Sequence, residues 1–394
     1  MAGPLEGIRI LELTTMITGP LGGQLLGDLG ADIIKVENPK GGDMFRSFRG
    51  GLYSAHFGAY NRNKRSIALD LRSDTGREVL LKLVEKADVL LENFRPGVME
   101  RLNLGLDTLR EVNPRLIYCS ITGFGEDGPY KDRPAYDAVA QSLSGVASMF
   151  LDPDGPQFAG PTISDNMTGI NACYGILGAL FERERGGPPR RVDVNMLEST
   201  VTFMPDPWAN MLQADIPQHP LARVMASQSY ALKCGDGKLM AVHLSSPEKF
   251  WQGVQNALER PDLGQDDRFA TRHGRIENYL GLQEELMKAV AGKPRLYWME
   301  RLEAEDVPFA PIHTMPEVMD DPQIRHLDIF FKTTHPTEGE LTLLRRPVRF
   351  DGSHDDQPLA PPPTMNEHGD EILAELGYST QEIKTMKVAI ETVK

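Results

Sequence analysis

The chain has 394 residues, 40% of them hydrophobic and 25% charged, with a net charge of -14. That describes a globular protein of about two domains. The acidic balance argues against nucleic acid as a partner, and no apolar run is long enough to cross a bilayer.

The start, residues 1–7, lacks a charged-then-apolar leader pattern. Cys119, Cys173 and Cys234 stand far apart without metal-ligand spacing, so reduced thiols, a cytoplasmic setting and no metal are expected.

In chain order, residues 7–13 form a first strand, 21–29 a helix entered through Thr18-Gly19-Pro20, and 31–37 a second strand. Proline suits a first helical turn, where its missing N–H is no loss. No G-x-G-x-x-G joins strand to helix, so the case for a nicotinamide cofactor is weak. A loop rich in Gly and aromatics over 41–60 leads to the basic cluster Asn61-Arg62-Asn63-Lys64-Arg65-Ser66. Strands are expected at 67–71, 87–94 and 115–121, and helices at 75–85, 98–102 and 106–112. This alternation predicts a mostly parallel sheet with helices on both faces. Ligands of such folds bind at the carboxyl ends of the strands, here the loops 15–19, 37–42, 93–97 and 123–133.

Asp165 then stands at the mouth of a long apolar run, residues 170–181, expected to be a buried helix. An acid there has two uses. It caps the orphan N–H groups of the first turn, or it is a carboxylate nucleophile kept ionised by the helix dipole. A strand at 190–195 and a helix at 196–203 follow. Residues 205–224 carry four prolines and little periodicity, as in a linker. A hairpin at 230–233 and 239–244, helices at 250–258, 276–290 and 297–305, and an extended stretch at 307–312 predict a smaller α+β domain. A strand over 341–350 and a helix from about Asn366 close the chain. The expected division is 1–204 as the large catalytic domain, 205–224 as linker, 225–325 as the small domain and 326–394 as the return to the large one.

Four stretches carry a family resemblance: 5–8 through Gly19-Pro20; 30–37; 61–69 with Asn93-Phe94-Arg95-Pro96-Gly97; and Gly123-Phe124-Gly125 through Pro134-Ala135-Tyr136-Asp137 to Asp165. In this order and spacing the chain resembles family III CoA-transferases, the group that includes formyl-CoA transferase and carnitine CoA-transferase. The resemblance covers nearly the whole chain. It implies an α/β fold: a large open, mostly parallel sheet with Rossmann-like βαβ units plus a smaller α+β domain, in an interlaced homodimer. Acyl-CoA and a small carboxylic acid are the implied substrates, with no tightly bound cofactor.

The resemblance also implies that Asp165 is the nucleophile. Its carboxylate attacks the thioester carbonyl to give a mixed anhydride, and the CoA thiolate then converts that to an aspartyl thioester, from which CoA passes to the incoming acid. CoA contacts are implied at Met16, Ile17, Asn38, Arg72, Asn93, Phe94, Arg95 and Arg101, with Arg133 replacing a lysine that relatives carry where Pro134 stands here. Formyl-CoA transferases have Gln at the place of Ile17 and Arg at that of Asn38. Tyr136 is implied to share the catalytic site; α-methylacyl-CoA racemases of the same fold have a histidine there. The glycine run of formyl-CoA transferases is missing from 223–230, which puts oxalate and formate in doubt. The acid is expected near Arg46, Arg49 and residues 223–228. An acyl-CoA racemase or a non-catalytic CoA-binding protein are the alternatives.

Overall fold

The computed structural model describes residues 3–152, 154–245 and 248–392. Met1 and Ala2, part of the stretch inspected for a leader, lie outside the described residues. The chain divides into two compact units. One runs to Ala147, resumes up to Pro205 and takes in the stretch from Asp328; the other is Ser148–Asp152 with Asp206–Leu327.

The larger unit is built on six strands: β1 (Arg9–Leu13), β2 (Asp32–Glu37), β3 (Lys64–Ala68), β4 (Val89–Glu92), β5 (Ile117–Thr122) and β6 (Arg191–Asn195). They form one sheet in the order β3-β2-β1-β4-β5-β6, every neighbouring pair parallel. Between them in sequence come α1 (Thr18–Gly27), α2 (Ala55–Tyr60), α3 (Asp74–Glu85), α4 (Val98–Arg101), α5 (Leu106–Val112), α6 (Asp137–Leu143) and α7 (Ile163–Glu184). The central strands are apolar on both sides, which requires helices on both faces. Leu11, Ile34 and Leu90 point into one core with Leu80 and Leu83 of α3; Ile10, Ile33 and Leu91 point into the other with Ala172 and Ile176 of α7. The strand order reverses between β1 and β4, so a crevice opens at their carboxyl ends.

Several boundaries differ from expectation. β3 starts at Lys64, so part of the basic cluster is strand. The Lys64 ammonium is buried against Glu12 at 2.8 Å, and Arg65 pairs with Asp32 at 2.7 Å, so these charges are structural. α6 was not anticipated, and α7 starts at Ile163, seven residues earlier than expected. α7 is also not buried all round: Ile170, Tyr174 and Phe181 are exposed.

In the smaller unit, β7 (Ser229–Lys233), β8 (Leu239–His243) and β9 (Phe309–Pro311) form an antiparallel sheet. It packs with helices Glu248–Leu258, Tyr279–Val290 and Arg295–Ala304 around Tyr230, Trp251, Leu282 and Leu302. The expected linker is not irregular: Pro205–Ala214 and Ala222–Ser227 are helical. Pro205 and Pro207 fall in a first turn, where proline costs no hydrogen bond. Back in the larger unit, β10 (Phe330–His335) pairs antiparallel with β11 (Gly339–Leu344), so the expected strand at 341–350 is the second half of an unforeseen hairpin. The last helix is two, Gly369–Glu375 and Thr380–Thr392, with Gly377 at φ 89 between them. Among the described residues no helix is long and apolar enough to cross a membrane.

Candidate active site

The crevice is shaped by the loop from β1 to α1. The Thr15 N–H donates to Asn93 Oδ1 at 3.0 Å, and Asn93 Nδ2 donates back to Thr15 O at 2.9 Å and to Thr18 Oγ1 at 3.1 Å. Asn93 thus ties the ends of β4 and β1 together. Met16 sits at φ 70, a left-handed conformation that costs a non-glycine residue energy. Its N–H donates to Asp43 Oδ1 at 3.0 Å, and Asp43 is held by Lys35 at 3.0 Å. Lys35 also binds Glu12 at 2.9 Å, and both are fully buried. This paired network carries the strained loop. Beside it lies a cleft of about 230 Å³, lined among others by Thr15, Asn38, Leu69, Arg72 and Phe94.

Asp165 is the third residue of α7, not its cap; the N-cap is Thr162, which makes no side-chain capping bond. The Asp165 N–H donates instead to Asp137 Oδ1 at 3.2 Å, from the first turn of α6. Ser164 is locked by the Thr200 hydroxyl at 2.8 Å, which fixes the first turn. One turn on, α7 crosses α1 at Gly169, where a Cβ would stand 2.6 Å from Thr18 O. The missing side chain therefore brings the Asp165 turn close to the β1–α1 loop.

Burial, with the Asp137 charge added, pushes the Asp165 carboxyl up to about 7. Burial thus works against the helix dipole, which by itself favours the anion. In a half-buried site the loss of hydration outweighs the dipole, which is worth about 1 kcal/mol. A carboxyl raised in this way is a poorly solvated carboxylate when ionised, and a better nucleophile for that reason.

Asn38, Arg72 and Phe94 meet at the cleft, Met16 and Asn93 hold its rim, and Arg72, Arg95 and Arg101 are exposed to solvent. Ile17 is only 6% exposed and packs with Phe45 and Phe57, so its side chain faces a small core rather than a ligand. Arg133 lies over the Tyr130 ring at 3.8 Å and lines a different hollow, with Phe124, Pro134 and Val139. It is not among the residues lining the cleft with Arg72. Tyr136 is 59% exposed at the N-cap of α6, next to the residue that does touch Asp165. Arg46 is buried: it grips Glu37 through two bonds of 2.7 Å and stacks on Phe57, so it is not free to bind an acid. Arg49 remains exposed.

Sequence reasoning gave no role to Asp137, Asp43 or Glu92. Asp137 lies within the fourth resemblance stretch, but its contact with Asp165 spans 28 residues and left no local signal.

The sequence matches the CoA-transferase family III over residues 5–369. It is 33% identical to the formyl-CoA:oxalate CoA-transferase of Streptomyces avermitilis, covering 98% of this chain and 99% of that protein. It is 33% identical to the mouse succinyl-CoA:glutarate CoA-transferase, over 95% of this chain and 86% of that one. The crystal structure of a CAIB/BAIF family protein from Brucella suis superposes with a TM-score of 0.84 at 34% identity, covering 95% of this chain and 100% of that one.

Proposed function

The chain belongs to CoA-transferase family III, and from that premise we propose that it moves CoA from an acyl-CoA donor to a free carboxylic acid through covalent intermediates on Asp165. The observation that carries this is a carboxyl in the first turn of α7, raised by burial toward neutrality, on a helix that one turn later crosses α1 at Gly169 against Thr18.

An Asp165 oxygen attacks the thioester carbonyl carbon, and the C–S bond breaks. CoA leaves as thiolate and a mixed anhydride remains. The thiolate attacks the Asp165 carbonyl carbon, expelling the donor's carboxylate and leaving an aspartyl-CoA thioester. The acceptor carboxylate attacks this thioester to form a second anhydride. The returning thiolate attacks the acceptor's carbonyl, restoring Asp165 and releasing the new acyl-CoA. No proton is gained or lost, so no strong general base is needed. The first-turn N–H groups of α7 are suited to stabilising the developing oxyanions. Asn38, Arg72, Asn93, Phe94, Arg95 and Arg101 surround CoA, the exposed arginines meeting its phosphates. Tyr136 lies beside Asp137 and closes the reaction site, and Arg133, in the neighbouring hollow, stands for the relatives' lysine among the CoA contacts.

The missing glycine run of formyl-CoA transferases weighs against oxalate and formate as substrates. The working form is a homodimer, supported by an exposed apolar stripe on α7: Ile170, Tyr174 and Phe181 are 45%, 77% and 65% exposed. Three buried free cysteines support a reducing, cytoplasmic setting.

The test is covalent trapping. Incubation with donor acyl-CoA followed by hydroxylamine should mark the peptide containing Asp165. Asp165→Ala should lose turnover and retain CoA binding; full turnover in that variant would refute the mechanism.

A further inference from the structure

A second buried carboxyl sits at the crevice and takes no part in the transfer steps. Glu92 ends β4, pairs in register with Leu13 of β1, and is 3% exposed. Its Oε2 accepts the Phe94 N–H at 2.7 Å, and its Oε1 accepts the Tyr118 hydroxyl at 3.2 Å. Ser120 stands beside it in register on β5, with its hydroxyl donating to Glu126 at 2.9 Å. The turn Asn93–Phe94 is therefore clamped twice. The Asn93 side chain ties it to the β1–α1 loop, and Glu92 holds the next peptide from beneath.

We propose that Glu92 is a positioning residue for acyl-CoA: its carboxylate fixes the Phe94 peptide, and so the wall of the cleft, and holds it most firmly while ionised. This rests on the reading of that cleft as the CoA site. The ionised group offers acceptors to the Phe94 N–H and the Tyr118 O–H together. A proton on Oε2 would set a donor against the Phe94 N–H; a proton on Oε1 makes the Tyr118 hydroxyl turn and accept, and leaves the Phe94 N–H on a neutral, weaker acceptor. The charged and titratable surroundings are Tyr118 and Cys119 on β5, Glu126 beyond Ser120, Arg191 paired to Glu126 at 3.1 Å, and Glu100 acting on Tyr118. Burial raises the Glu92 carboxyl to about 7, and Glu126 adds to the rise; the nearby Ser120 hydroxyl and the bonds from Phe94 and Tyr118 oppose it. The clamp is thus complete above neutrality and loosens as pH falls through that value.

The experiment is calorimetric binding of CoA and of 3′-dephospho-CoA to the parent, Glu92→Gln and Tyr118→Phe, from about pH 5.5 to about pH 8.5, with kcat at saturating acyl-CoA measured alongside. The dephospho ligand removes the 3′-phosphate, which itself titrates near about 6. The parent should lose roughly tenfold in affinity for dephospho-CoA as pH falls, the worth of one hydrogen bond to a charged group. Glu92→Gln should show the weak value at every pH, with kcat at high pH little changed. Tyr118→Phe removes one donor to the carboxylate, so its midpoint should move to higher pH; this variant carries the test if Glu92→Gln folds poorly. A parent with no pH dependence toward dephospho-CoA, or a Glu92→Gln protein with the parent's profile, overturns the proposal. A parent that binds no CoA at any pH overturns the reading of the cleft itself.

Discussion

The backbone N–H of Asp165 rests on the carboxylate of Asp137 at 3.2 Å, so two acids from different helices share one helix mouth. Their proximity sets how Asp165 titrates. Burial raises its carboxyl and the Asp137 charge raises it further, to about 7. Nucleophilic attack needs the anion, so kcat/KM for the donor should climb with pH and level off above about 7. Asp137→Asn keeps an acceptor for the Asp165 N–H and removes the charge. Its pH–rate profile should shift to lower pH. A profile unmoved in this variant would show that the two groups do not communicate.

The same shift carries a stability consequence. The folded-state pKa of about 7 lies above the ordinary carboxyl value of 3.8, so the folded chain holds this proton more tightly than the unfolded chain. That contribution is complete below 3.8 and is lost as pH rises through about 7. Asp165→Asn cannot ionise. It should therefore melt higher than the parent at about pH 8, with the gap closing toward about pH 4. Equal melting temperatures at the higher pH would mean that the ionised carboxylate is not under strain.

Arg72 lines the cleft and Arg101 stands exposed one helical turn from the cleft-lining Val98. Phosphate contacts are made equally in the ground and transition states, so they act on KM more than on kcat. Arg72→Ala and Arg101→Ala should each raise KM for acyl-CoA roughly fivefold, the effect of about 1 kcal/mol at a solvated site. The penalty should shrink in high salt, because exposed charges are screened. Wild-type KM values in both variants would remove these residues from the CoA site.

The sheet was legible because its strands are apolar runs separated by helical periodicity, and β1, β2, β4 and β5 fall within two residues of expectation. β3 was less so. Its first residues, Lys64 and Arg65, look like surface until Glu12 and Asp32 are placed beside them, and those partners lie 52 and 33 residues away. Asp165 stood out through the pattern of the whole chain rather than through its helix, where a cap was the simpler reading. Its pKa was not, because burial and Asp137 exist only in the fold. Arg46 shows the converse: an arginine in a loop looks available for an anion, and only the folded chain gives it Glu37 at 2.7 Å.

The apolar stripe on α7 gives a test of assembly. Tyr174 is 77% exposed, unusual for a large ring on a helix whose opposite face is core. A carboxylate in the centre of a buried apolar contact costs several kcal/mol. Tyr174→Glu should leave the fold intact by circular dichroism and shift sedimentation from dimer to monomer. A parent that sediments as a monomer would refute the homodimer outright.

Gly23 sets two known effects against each other. It lies within α1 and is buried. Replacing a mid-helix glycine with alanine ordinarily stabilises by about 1 kcal/mol. Here a Cβ would stand 1.9 Å from Oε2 of Glu12. A free glutamate would swing away, but this one is fully buried, with Lys35 at 2.9 Å and Lys64 at 2.8 Å. Moving it leaves two lysines short of their counter-ion. Burial already pushes Lys64 down to about 8, and disrupting a buried pair costs roughly 3–5 kcal/mol. The clash should win. Gly23→Ala is expected to lower stability by about 2–4 kcal/mol, the difference between those figures, measured by urea unfolding at neutral pH. It should also raise KM for acyl-CoA, because Lys35 anchors Asp43 and through it the strained Met16 peptide. A Gly23→Ala protein more stable than the parent would show that the Glu12 cluster yields without cost, and that the loop at the crevice does not depend on it.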